Sequence, residues 1–79
     1  MQTPSYPAIE EFLADFEREA PPLIRRSQLR TLGFPLSPQT LSNLATAKEG
    51  PPFYKVSGRV VYRRADLVAF LRSRTVKAL

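Results

Sequence analysis

Ser37-Pro38-Gln39-Thr40-Leu41-Ser42-Asn43-Leu44-Ala45-Thr46-Ala47, and then Gly50-Pro51-Pro52-Phe53-Tyr54-Lys55-Val56-Ser57-Gly58-Arg59-Val60-Val61-Tyr62, decide how this chain folds. Ser37 before Pro38 is a helix start: a side-chain oxygen at the N-cap, then a proline whose missing N–H is no loss at the first position. The helix is predicted to run from Pro38 to about Ala47. Leu41, Leu44 and Ala45 share one side, which leaves Gln39, Thr40, Ser42, Asn43 and Thr46 outside. None of these five carries charge. Their amides and hydroxyls can donate and accept hydrogen bonds, which suits base edges in a major groove. The competing reading is a plain solvated face, although such faces more often carry Lys and Glu.

The second stretch starts with a proline-stiffened connector, Lys48 to Pro52. Phe53 to Val56 and Val60 to Tyr62 have strand propensity, and Ser57-Gly58-Arg59 between them reads as a hairpin tip. Lys55, Arg59, Arg63 and Arg64 are expected along this one ribbon, which could lie on phosphates or in a minor groove. A basic hairpin can equally be a solvated edge, because lysine discourages edge pairing. Arg64 to about Arg74 is the last helix. Asp66 complements its N-terminal dipole, and Leu67, Val68, Phe70 and Leu71 supply its core side. Arg72, Arg74 and Lys77 crowd its end, where cations suit the dipole and could also touch phosphate.

Toward the N-terminus, Arg25 to Leu32 is expected to form a short helix. Ile24, Leu29 and Leu32 would be available to the core, with Gly33 as the stop and Phe34-Pro35-Leu36 as the turn. Leu23 and Ile24 look buried; Arg25, Arg26 and Arg30 look exposed. Before the Ala20-Pro21-Pro22 break, Ile9, Phe12, Leu13 and Phe16 recur at helical spacing behind Pro7. This first helix either covers the core or contacts a dimer mate or other partner, and the two roles are compatible. Residues 1–20 hold five carboxylates against Arg18 alone; residues 21–79 hold eleven basic residues against Glu49 and Asp66. A basic body with an acidic first helix suggests a polyanionic partner. The organisation read from this is a tail and acidic amphipathic helix over 1–22, a binding domain over 23–74, and a basic tail over 75–79.

Composition narrows the function classes. The chain has 79 residues, no cysteine and no histidine, which removes disulfides, thiolate chemistry, the usual zinc ligands and the commonest general base. No catalytic residue, metal site or cofactor is expected, and no small-molecule ligand. Tyr54 and Tyr62 read as strand residues rather than nucleophiles. No apolar run approaches the roughly 20 residues of a membrane span. Met1 to Ala20 lacks the apolar segment of a secretory signal, so the expected compartment is the cytoplasm, nucleoid-associated when bound.

The pattern Leu32-Gly33, Ser37-Pro38-x-Thr40-Leu41, Gly50-Pro51-Pro52-Phe53-x-Lys55-Val56, Gly58-Arg59 and Tyr62-Arg63-Arg64-x-Asp66-Leu67 resembles the small winged helix-turn-helix proteins of the excisionase and AlpA type, distant relatives of the MerR DNA-binding domain. The resemblance covers about Leu23 to Leu71. It implies a mainly α fold with a small β-hairpin, here carrying an extra N-terminal amphipathic helix. It also implies that Pro38 to Ala47 enters the major groove and that Tyr54 to Tyr62 forms a wing on the adjacent backbone or minor groove. Three places depart from the family pattern. The turn at Phe34-Pro35-Leu36 is longer, Leu44-Ala45 stands where an aromatic and an arginine are common, and Lys48 stands where glycine usually ends the helix.

The reading is therefore sequence-specific binding of double-stranded DNA. Gln39, Thr40, Ser42, Asn43 and Thr46 would face bases. Arg25, Arg26, Arg30, Ser37, Lys48, Lys55, Ser57, Gly58, Arg59 and Arg63 would engage the backbone or form the wing. The implied role is a recombination directionality factor or a transcriptional regulator of a bacterial mobile element, working with an integrase or with other copies of itself. The alternative is a protein-interaction module that binds an integrase, a polymerase subunit or a regulator without reading DNA.

Overall fold

The computed structural model describes residues 6–74. The expected frayed start, the basic tail and its Lys77 lie outside the described residues. Helix α1 spans Pro7–Glu19 and begins with proline in its first turn. Its stripe buries Leu13 and Phe16, with Ile9 and Phe12 packed partly against the core. Ala20 is extended (ψ 145°), as the prolines that follow require.

The expected helix over Arg25 to Leu32 does not form. Leu23–Arg25 is a strand, β1, and Arg26–Gln28 is a single turn of 3-10 helix. The physical reason is legible afterwards. Pro21-Pro22 deliver the chain extended, and Ile24, Leu29 and Leu32 are spaced too unevenly for one α stripe. The strand alternates instead: Ile24 is fully buried while Leu23 is 56% exposed, against the expectation that both would be inside. The Gln28 side chain accepts from the Arg25 N–H at 3.0 Å and closes the turn. Gly33 closes a turn over residues 29–33 instead of ending the expected helix. It has φ 77°, and the Phe34 N–H reaches the Leu29 carbonyl while the Gly33 N–H reaches that of Arg30.

Helix α2 spans Pro38–Thr46, and Ser37 Oγ accepts from the Thr40 N–H at 3.1 Å. It ends in the same left-handed way, but with Lys48 (φ 60°) where glycine would be easier. The Lys48 N–H bonds the Ala45 carbonyl and the Glu49 N–H bonds that of Leu44. Gly50 then packs closely on the helix: a Cβ there would sit 3.1 Å from Leu44 Cβ, so the neighbour would have to give by a few tenths of an ångström.

Strands β2 (Tyr54–Val56) and β3 (Arg59–Arg63) form the hairpin. Ser57 and Gly58 both have positive φ, the mark of a type I′ turn, whose twist matches that of the flanking strands. Helix α3, Arg64–Arg74, follows β3 without a loop. The hairpin acquires a third strand, because β1 pairs antiparallel with β3, giving the order β1-β3-β2. Three helices and this small antiparallel sheet make a mainly helical winged helix-turn-helix fold.

Side chains leaving one face of the sheet graduate from core to solvent. Ile24 lies opposite Tyr62 and both are buried; Val60, half-buried, lies opposite Lys55, which is exposed. The sheet is thus anchored at one end and projects as a wing at the other. The core under it joins Leu13, Phe16, Ile24, Leu29, Phe34, Leu41, Tyr62, Leu67 and Leu71, so α1 and α3 share one interior with α2.

Candidate nucleic-acid interface

Helix α2 turns Leu41 inward, with Leu44 and Ala45 half-buried beside it. Helical geometry therefore points Gln39, Asn43 and Thr46 outward, with Ser42 and Thr40 on the two flanks. Gln39, Thr40, Asn43 and Thr46 are exposed and Ser42 is half-buried. Gln39 Nε2 donates to Asn43 Oδ1 at 3.0 Å, so the two amides hold each other in line. Thr46 Oγ1 donates to the Ser42 carbonyl, and Thr40 Oγ1 lies 2.9 Å from Ser37 Oγ. Ser37 is thus a helix cap first, and the surface beyond it is polar, uncharged and partly pre-ordered.

Pro38, in the first turn of α2, lines an open cleft together with Arg25, Arg26, Ser27, Arg59 and Val60. This cleft puts the start of α2 beside the wing. Lys55 leaves the same face of the sheet as Val60, so its cation also projects on the side of α2. Arg25, Arg30, Lys48, Lys55 and Arg59 are exposed and form no ion pair among the described residues. Ser57 and Gly58 sit at the wing tip, where backbone could approach a ligand closely.

Several basic residues are engaged within the chain. Arg63, on β3, faces Asp66 at 3.3 Å. Arg64 does not join the wing: its side chain donates to the Ala20 carbonyl at 2.8 Å and its N–H to that of Pro22, tying the end of α1 to the start of α3. Arg72 grips Glu10 with two bonds of 2.9 Å, and this contact raises the arginine pKa above its ordinary value. That contribution holds while the arginine is charged and the Glu10 carboxylate is ionised, and it is lost as pH rises through the arginine's raised pKa. Arg74 donates to the Glu49 carbonyl and lies over the Phe70 ring.

Arg26 is half-buried rather than exposed. Its Nε donates to Tyr62 Oη at 3.0 Å, and its guanidinium carbon lies 5.7 and 5.9 Å from the ring centres of Tyr62 and Phe53. Sequence reading missed this clamp and missed Ser27 in the cleft. The strand period, extended to β1, would have shown Tyr62 facing the core.

A family profile described as a helix-turn-helix domain matches residues 33–75, more than half of the chain. The chain belongs to the helix-turn-helix domain family. The match takes in α2, the wing and α3, and it fits the small DNA-binding proteins of the excisionase and AlpA type. Searches of curated proteins and of solved structures give no significant match. The family is one of DNA-binding domains and is not typically enzymatic. Among the described residues no cluster of acidic side chains is placed to hold a metal, and no helix is long and apolar enough to cross a membrane.

Proposed function

We propose that this protein binds double-stranded DNA sequence-specifically, with α2 in a major groove and the wing on the adjoining backbone or minor groove. The observation that carries this is the juxtaposition at the cleft: an uncharged, hydrogen-bonding face on α2 beside cations that have no carboxylate of their own. Gln39 and Asn43 are the readers, each able to pair bidentately with adenine. Thr40, Ser42 and Thr46 support them. Lys55, Arg59, Arg25, Arg30 and Lys48 supply charge without sequence information. One module of this size covers roughly 600–1,000 Å² of its own surface on DNA, so useful occupancy calls for repeated sites. That need fits a recombination directionality factor, or a transcriptional regulator of a mobile element, acting in the cytoplasm with an integrase or with further copies of itself.

Mobility shift against salt concentration tests it. Arg59→Ala should weaken all sequences alike and reduce the salt slope by about one. Asn43→Ala should relax preference at one position by about 1–3 kcal/mol. Absence of any shift at low salt on the DNA flanking its own gene would end the proposal. A second reading has its own observation. Leu23, Tyr54 and Val56 leave the outer face of the sheet 49–56% exposed, as a protein-contact surface would be. Partner capture that survives Lys55→Ala, on the opposite face, and is lost on Tyr54→Ala would favour it.

A further inference from the structure

If α2 lies in a major groove and the wing in the adjoining minor groove, the sugar–phosphate strand that separates those grooves must pass between them. The inference rests on that reading. The space available is the cleft lined by Arg25, Arg26, Ser27, Pro38, Arg59 and Val60. Pro38 has no N–H, so the helix end offers no donor at that position, and the arginines must supply the recognition.

Arg26 differs from its neighbours. Arg25 and Arg59 are exposed, long and unattached, whereas Arg26 is half-buried and fixed against two rings and a hydroxyl. Tyr62, which holds it, is only 1% exposed and belongs to the core. A partly desolvated cation normally finds a carboxylate. Among the described residues Arg26 forms no ion pair, and the aromatic faces offset that cost only in part. Arginine has five N–H donors in a planar fork, and the tyrosine takes only the one on Nε. The terminal donors have no hydrogen-bond partner among the described residues, and their orientation is set before any ligand arrives. Such a fork binds phosphate bidentately with little further ordering.

We propose that Arg26 is a preorganised clamp for a single phosphodiester of the strand running between α2 and the wing. Arg25 and Arg59 contribute looser charge at the rim. The position between grooves selects a backbone phosphate over a guanine edge as the ligand.

The test uses the full chain and its best DNA site, with one neutral methylphosphonate at a time replacing each phosphate. Wild type should lose about ten- to a hundredfold in affinity at one linkage per bound copy. Arg26→Ala should lose a similar factor on unmodified DNA and nothing more at that linkage. Arg26→Lys, which keeps the charge without the fork, should fail to restore the linkage-specific loss. Tyr62→Phe, which removes only the tether, should blunt it while circular dichroism stays native. Losses that multiply at every linkage, full rescue by lysine, or relaxed preference at a base pair would each overturn the clamp while leaving DNA binding intact. Failure of wild type to bind any DNA would overturn the parent reading instead.

Discussion

The two ends of this molecule use the same residue type in opposite ways. At the end built around α3, arginines are matched to internal partners: Arg72 to Glu10 of α1, Arg64 to the Ala20 carbonyl, and Arg74 to the Glu49 carbonyl beyond α2. At the wing end, Arg25, Lys55 and Arg59 are exposed with no ion pair among the described residues. Net charge alone does not separate these sets. The presence or absence of an internal acceptor does: one set is tied into the fold, and the other is left for the polyanion proposed above. Arg26 lies between the two classes, with its stem and Nε committed to the core and its terminal donors still available.

Substitutions at the two ends should therefore separate stability from binding. The largest effect is expected at Phe16, which is 3% exposed and packs its ring 5.7 Å from that of Phe34. Phe16→Ala should cost about 3–5 kcal/mol in urea unfolding, a large share of the stability of so small a domain. A minor effect would mean that α1 is an appendage and that the core lies elsewhere. Next comes Arg64→Ala, which removes a charged donor from a part-buried carbonyl and should cost about 1–3 kcal/mol without altering the salt slope of DNA binding. A changed slope would move Arg64 into the other class. Lys48→Gly should act in the opposite sense. It relieves a left-handed residue and gains about 1 kcal/mol or less once the added freedom of the unfolded chain is counted. Smallest of all, Arg59→Ala should change stability by less than about 0.5 kcal/mol while weakening binding. A clear loss of stability there would erase the contrast between the two ends.

What the sequence disclosed depended on how local the cause was. The α2 start at Ser37-Pro38, the Ser57-Gly58 turn and the α1 stripe each follow from residues within a turn of one another, and the chain adopts them. Strand β1 was hidden because its partner is β3, some forty residues later: Ile24 is a strand residue only because Tyr62 lies opposite it. The roles of Arg64 and Arg26 were hidden for the same reason, since Ala20 and Tyr62 are remote in sequence. On the candidate site, the residue types of α2 were legible and their outward orientation follows the helix period. The cleft that brings Pro38 beside Arg59 needed the folded chain.

The measurement that bears most directly on the account is a map of backbone amide NMR shifts as a cognate duplex is added. Binding through α2 and the wing predicts that the largest changes fall on Ser37 to Thr46 and Lys55 to Val60, with Glu11, Asp15 and the outward side of α1 silent. Changes centred on α1, or on Leu23 and Tyr54, with the amides of Gln39 and Asn43 unmoved, would contradict it.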